Sequence, residues 1–566
     1  MKIGIPIRFT PFVLSVLALA PLCRAQPRVA GDWQGMLTAQ GAQQHVVLHI
    51  AADKDGSLTA TLDMVEMHVN GIPASAVSLN GSKLALTIAA AHGTYEGTVN
   101  QDATEIAGRW SDTQSFELNF KRAPAPSAAG PSGHPAAPLP KTFWDGPVWK
   151  TAYQPDLPEN EKIAGLSRFW SEVKYNFAWF EHLPPNFDWD ALYVSYIPKV
   201  RATHSTLEYY RVLQELCARL KDGHTDVSLP IALSDEVYAT PSVRTRWIEG
   251  RVLIAEVWDA ALRQDGIVPG MEVVAVDGVP VKQYGAERVA PYMSASTAQD
   301  LDTRMFERRL LGGKAGVAVQ LTLRAADGSA LQRSLPRKSG RENAAQRPVK
   351  PDFEFKMLPG NIAYVALNTF NTATAQKEFE RQFDDIAKSS ALIFDVRENS
   401  GGNSGYATAI LSRLIEKAAP ASEWRSRQYV PAQRAWGIPT GWTGETPMTE
   451  PSPGRHYGNP VVVLTSPRTG SSAEDFAADF DLMGRGKIVG EPTGGSTGQP
   501  IIFSLPGGGS ARVCAKQNLY PDGRQFVGSG IQPQILVRPT VADFLAGRDT
   551  VLEKALEYLR APTARP

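Results

Sequence analysis

Between residues 461 and 500 the chain changes character three times. Val461-Val462-Val463-Leu464 is a short apolar run of strand length. Pro467 and Gly470 interrupt it, and Ala473, Phe476, Ala477, Phe480 and Met483 then recur at helical spacing. Gly484 and Gly486 stop that helix. Ile488-Val489-Gly490 is a second apolar run, and it opens into the glycine-rich loop GEPTGGSTGQP at 490–500. Strand, helix and strand joined by short links require a sheet with helices packed on it. The region upstream repeats the alternation, with a strand at Ile362–Leu367, a helix over 376–386 and a buried strand over 391–397 that runs into Glu398-Asn399-Ser400-Gly401-Gly402. Residues 352–545 therefore read as an α/β unit whose strand ends carry the active loops, followed by an amphipathic helix and tail over 546–566 on which Val551, Leu552, Ala555, Leu556 and Leu559 share a face.

Ser471 and Ser472 stand at the strand-to-helix turn of that unit. A serine there exposes its hydroxyl beside backbone N–H groups, and the helix N-terminus carries partial positive charge suited to an oxyanion. The same position suits a helix N-cap, so the serines alone do not decide between the two roles.

Length and composition bound the rest. The 566 residues allow three or four domains. A formal net charge of zero argues against a nucleic-acid binder and against an acidic disordered chain. Residues 1–25, with Lys2 and Arg8 ahead of an apolar run and Cys23-Arg24-Ala25 at its end, read as a signal peptide, so the protein is expected to be exported, periplasmic or secreted. No other run is long enough for a stable membrane span. After cleavage only Cys217 and Cys514 remain, too few for a disulfide framework. No CxxC, HExxH or histidine cluster occurs, so neither a metal nor another cofactor is expected.

Short alternating runs with Asp55-Gly56, Asn70-Gly71 and Asn80-Gly81 between them make residues 28–122 an all-β barrel or sandwich. The Ala/Pro/Gly/Ser tract at 123–140 is a linker. Residues 142–235 are a helical segment in which Leu166, Phe169, Trp170 and Val173 share one face and Tyr209, Leu213, Leu216 and Leu220 another. It ends in Asp222-Gly223-His224-Thr225, where Gly223 breaks the helix and puts His224 on a turn. Residues 242–337 are β-rich. Their GIVPGMEVVAVDG run at 266–278 resembles a PDZ domain, the module that takes a peptide strand, commonly a C-terminus, onto its sheet edge.

Taken together, DGHT at 222–225, the PDZ-like insert, DVRENSGG at 395–402, SSAEDF at 471–476 and GEPTGGSTGQP at 490–500 resemble the S41 serine peptidases, which include the C-terminal processing peptidases and the tricorn core protease. The resemblance implies a crotonase-like α/β core and a polypeptide substrate cleaved through an acyl-enzyme, by an endopeptidase or a carboxyl-terminal processing peptidase. It implies Ser471 as nucleophile, three residues before Glu474. It implies oxyanion donors from Ser472 and from the glycine pair, Gly401 first and Gly402 second. Processing peptidases place a lysine base in the glycine-rich loop, about where Ser496 stands here, and this loop holds no lysine. The tricorn-like branch uses a histidine upstream of the PDZ domain, which matches His224. Its orienting glutamate would fall near Val527, where none occurs, leaving Glu491, Asp522, Ser496 and Gln499, with Asp222 and Asp226 beside the histidine, as substitutes. A catalytically silent peptide-binding protein and an esterase using the same serine and histidine are the competing expectations.

Overall fold

The computed structural model describes residues 29–39, 42–53, 56–64, 69–89, 93–112, 115–123 and 140–561. The expected signal peptide, Asp55 and residues 124–139 of the expected linker lie outside them. The chain divides into two compact units, one of residues 1–137 with 429–440 and the other of residues 138–428 with 441–566.

In the first unit ten antiparallel strands form a single sheet running in space from Val69–Pro73 through Gly31–Ala39 to Ala76–Asn80, with the short strand Ser115–Glu117 paired to Glu105–Ser111. It is a β-rich half-barrel. Strict alternation explains its core: along Gly93–Val99 every second residue is buried, and Trp33, Tyr95, Ile106 and Phe120 fill the concave side. Asn80-Gly81 makes the expected hairpin, with Asn80 paired to Lys83. Asn70-Gly71 does not. It lies within the strand Val69–Pro73, where Gly71 takes φ +75° opposite a register shift at Leu62 and Met64, so the left-handed glycine serves an irregularity in the ladder instead of a turn. The segment 429–440 adds Trp436 and Ile438 to the same apolar core.

Early in the second unit lie three long helices, α1 (Glu159–Asn176), α2 (Trp189–Arg201) and α3 (Thr206–Ala218). The side chains of Asp188 and Ser205 accept the first-turn N–H groups of α2 and α3. Leu166, Phe169 and Val173 of α1 and Tyr209, Leu213 and Leu216 of α3 are fully buried. After α3 the chain turns through Gly223 and His224 into Asp226–Ser228, which pairs antiparallel with Gly509–Cys514. That pairing joins the turn to the far end of the core.

Residues 243–336 supply a six-stranded sheet around Val252, Val273, Val319 and Leu321, with Asp277 and Gly278 both at positive φ in a two-residue hairpin. A short helix, α4 (Ala298–Asp302), is capped by the Thr297 hydroxyl.

The core sheet runs β1 (Phe353–Leu358), β2 (Ile362–Leu367), β3 (Ala391–Asp395), β4 (Val461–Thr465), β5 (Gly486–Gly490) and β6 (Ile535–Leu536). The first pair is antiparallel and the others are parallel. Every residue of β3 and β4 is buried, as a sheet covered on both faces demands. Leu392, Phe394, Val461 and Val463 face α5 (Thr374–Ile386), α6 (Ser404–Leu411) and α7 (Ser472–Met483); Ile393, Val462 and Leu464 face α8 (Thr550–Arg560). Phe394 meets Phe476 edge-on, ring centres 5.5 Å apart, and so seats α7 over β3. Arg397 ties the end of β3 to the start of α8 by donating to both oxygens of Asp549 at 2.7 Å.

Among the described residues no helix is long and apolar enough to cross a membrane, and no group of His, Cys, Asp and Glu side chains is arranged to hold a metal ion. Cys217 and Cys514 are buried free thiols.

Candidate active site

Ser471 joins β4 to α7 at φ +55° and ψ −132°. Few side-chain-bearing residues adopt such a conformation, and they concentrate at functional sites where the surroundings hold them there. Here the holding contacts are backbone bonds. Ser471 N–H donates to Ser496 O at 2.9 Å, and Ser471 O accepts from the N–H groups of Glu474 and Asp475 at 2.7 and 3.1 Å. Ser471 occupies the N-cap position, yet its hydroxyl makes no capping bond. The hydroxyl instead lies 3.0 Å from His224 Nε2.

His224 comes from the turn after α3 and is buried. Ser294 Oγ donates to Asp222 O at 2.7 Å, Gly223 N–H donates to Ser296 Oγ at 2.9 Å, and Cys514 N–H donates to Thr225 Oγ1 at 3.1 Å, so both the β-rich segment 242–337 and the core grip this turn. The second ring nitrogen, Nδ1, lies 2.6 Å from Ser496 Oγ. A proton on Nδ1 donated to Ser496 leaves the Nε2 lone pair facing the Ser471 hydroxyl, which is the tautomer a base needs.

Of the groups expected to orient the ring, the structure brings only Ser496 to it. Asp522 is exposed and bound to Arg524. Glu491 lines a separate cleft with Arg468 and Arg538. Gln499 is exposed, at the foot of the strand Pro500–Leu505. Asp222 accepts from Thr225 and Ser296 and makes no bond to the ring, and Asp226 stands 3.8 Å from Arg512. Among the described residues no carboxylate is hydrogen-bonded to the imidazole. Burial is the main force on its basicity, and the positive charges of Arg512, Arg304 and Lys516 add to it, so the His224 pKa falls from 6.5 to about 3. The ring is neutral at every ordinary pH. If His224 is the base, kcat/KM should stay level on acidification through pH 6, because the limb set by a free histidine is displaced downward to about 3. A pH–rate profile checks this, and a fall centred near pH 6.5 would contradict it.

The glycine pair is placed differently from expectation. Gly401 lies against the nucleophile: a methyl group built on it would come within 2.4 Å of Ser471 Cβ. Its N–H, however, already donates to Asn399 Oδ1 at 2.8 Å. Among the described residues the N–H groups of Gly402 and Ser472 donate to no protein acceptor. Gly402 itself can only be glycine, since at φ +141° an added methyl would sit 2.1 Å from the Phe370 carbonyl.

Two residues carry a load that sequence reasoning missed. Glu474 and Asp475, in the first turn of α7, clamp the glycine-rich loop onto the helix. Glu474 is fully buried and accepts from Thr493 Oγ1 at 2.5 Å, Gly495 N–H at 2.7 Å and Ser496 N–H at 2.8 Å. Asp475 accepts from Thr497 Oγ1 at 2.9 Å and Ser404 Oγ at 2.8 Å. Acids in a helix's first turn suggest the dipole; the signal that could have exposed the clamp is the coincidence of two such acids with a loop rich in hydroxyls and free N–H groups.

Residues 361–537 match the model of peptidase family S41. Tricorn protease homolog 2 of Streptomyces coelicolor is 25% identical over 409 residues, covering 67% of this chain and 31% of its own length, so the chain spans about a third of that relative. The structure of mature CPAF complexed with lactacystin superposes with a TM-score of 0.55 at 17% identity, over 71% of this chain and 97% of CPAF. A CPAF mutant superposes with a TM-score of 0.57 at 16% identity, over 71% of this chain and 96% of that one. At such identities the likeness to CPAF is one of fold. The matched stretch, residues 361–537, holds β2 to β6 and with them Ser471 and the glycine-rich loop.

Proposed function

We propose that this protein is an exported serine peptidase that hydrolyses polypeptides through an acyl-enzyme on Ser471. The observation that carries the reading is the 3.0 Å approach of His224 Nε2 to the hydroxyl of a serine held at φ +55° beside a helix N-terminus. His224 takes the proton as Ser471 Oγ attacks the carbonyl carbon, and the N–H groups of Ser472 and Gly402 receive the oxyanion. The C–N bond then breaks, the imidazolium returns its proton to the leaving amine, and water repeats the sequence to free the acid. Export rests on the charged and apolar pattern of residues 1–25. Capture of a substrate C-terminus by residues 242–337 rests on the PDZ resemblance and on the sheet edge that the strand Val243–Ile248 forms there.

A fluorophosphonate tests the reading without knowledge of the substrate. The purified chain should take up one equivalent, and Ser471→Ala should take up none. Failure of the unaltered chain to react, or equal reaction of the variant, would end the proposal.

A further inference from the structure

Behind His224 the structure holds a carboxylate oxygen with nothing to bind. Asp300, on α4, has a side chain only 8% exposed. Its Oδ1 accepts from Arg304 Nε at 2.7 Å. Among the described residues its buried Oδ2 has no hydrogen-bond partner, a state that costs a carboxylate heavily unless a donor is at hand. The nearest candidate donor across the gap is Ser496, which makes no hydrogen bond to it in the structure. A methyl group built on Gly223 would lie 2.7 Å from Ser496 Oγ, 2.9 Å from Asp300 Oδ2 and 2.7 Å from Arg304 Nη2, so these three atoms ring one small space that the missing side chain of Gly223 leaves open. Among the described residues Ser496 Oγ has one hydrogen-bond partner, His224 Nδ1, and the ring's tautomer decides which of the two donates.

Resting on the Ser471–His224 reading, we infer that Asp300 is a positioning residue that sets the tautomer of His224 through Ser496. The logic is one of donors and acceptors. A carboxylate can only accept, so Ser496 turns its O–H toward Asp300 Oδ2 across that space. The Ser496 oxygen then offers His224 Nδ1 a lone pair and not a hydrogen. The ring must keep its proton on Nδ1, and Nε2 is left free for the Ser471 hydroxyl. No proton travels along the chain of contacts; Asp300 acts by fixing the direction of the Ser496 hydroxyl. Arg304, whose charge opposes an imidazolium, is itself paired with Asp300, and Asp222 is occupied by Thr225 and Ser296. The carboxylate that S41 relatives of the tricorn type would supply near Val527 is here replaced by a hydroxyl and a carboxylate in series. Because α4 belongs to the PDZ-like module, the module's seating becomes part of the condition for activity.

The test uses Asp300→Asn and Asp300→Ala in the full chain, read in two ways. Histidine 15N NMR should find His224 protonated on Nδ1 in the unaltered protein. In Asp300→Asn the amide can donate to Ser496, the hydroxyl then donates to Nδ1, and the ring should shift its proton to Nε2. Turnover should follow. Asp300→Asn should lose on the order of 10²–10⁴-fold in kcat with KM little changed, as expected for a ring locked in the wrong tautomer. Asp300→Ala, which frees Ser496 without imposing a donor, should lose less than Asp300→Asn. A purely structural role predicts the reverse order, since alanine removes more contacts. An Nδ1-protonated ring in Asp300→Asn, or a greater loss in Asp300→Ala, would overturn the inference. So would an Nε2-protonated ring in the unaltered protein. Should Asp300→Asn fail to fold, the order of Asp300→Ala and Asp300→Glu decides: Glu keeps a carboxylate facing Ser496 and should retain more turnover, and equal loss in both would overturn the role. The NMR arm is independent of catalysis, so failure of the Ser471 reading appears separately, as an unaltered protein with the expected tautomer but no reaction with fluorophosphonate; the inference, which stands on that reading, would fall with it.

Discussion

Ser471→Ala is expected to lower kcat for peptide hydrolysis by about 10⁴–10⁶-fold, the range seen when an acyl-enzyme nucleophile is removed. The argument is geometric. The only hydroxyl within hydrogen-bond reach of His224 Nε2 among the described residues is that of Ser471. Ser472 does not replace it, because its buried hydroxyl has no hydrogen-bond partner among the described residues, His224 included. Substrate binding should be little affected, since the oxyanion donors are backbone N–H groups and survive the change. The expected signature is therefore a collapse of kcat with KM nearly unchanged. The fold should also tolerate it. The contacts that hold residue 471 at positive φ are made by its backbone, and alanine at that φ is strained to a similar degree as serine. Steady-state kinetics and a thermal melt on the same preparation check both halves.

Glu474→Ala should produce the largest loss of stability, about 3–5 kcal/mol, because it strands Thr493 Oγ1 and the N–H groups of Gly495 and Ser496 in a buried space. Activity should fall with it, since those bonds hold Ser496 beside His224 Nδ1. The pH dependence supplies an independent signature. Burial raises the Glu474 pKa from 4.5 to about 8. A carboxyl raised on folding stabilises the native state fully below its unfolded pKa, and that contribution is lost as pH rises through the folded one. Between about pH 4.5 and 8 the unfolded chain ionises first, so the unfolding free energy should decline with rising pH. In Glu474→Ala that decline should be shallower. Urea titrations at pH 5 and pH 8 on both proteins measure the difference, and equal slopes would contradict the clamp.

How much of this could be read beforehand depended on whether a residue's role is local. Ser471 sits where a strand meets a helix, and both elements announce themselves by apolar period, so its place was legible. His224 was legible through Gly223, which ends a helix beside it, and through the resemblance of DGHT to a family pattern. The two-sided burial of β3 and β4 was equally plain from unbroken apolar runs. The half-barrel's alternation was visible strand by strand, whereas Gly71 looked like a turn because a left-handed glycine serves a bulge and a hairpin alike. Gly401 was favoured over Gly402 for want of one fact, that the Asn399 side chain folds back onto the Gly401 N–H. Asp300 left no trace at all. It lies on a five-residue helix in a different module, and what matters about it is that one oxygen lacks a partner, a property that exists only once distant segments are packed together.

The account stands or falls on where the acyl group goes. Mixing the protein with a slowly deacylated activated ester, quenching in acid and mapping the adduct by tandem mass spectrometry would locate it. The expected result is one acyl group per chain, on Ser471, absent from His224→Ala. An acyl group on Ser472 or elsewhere, or one that forms as readily without His224, would contradict it.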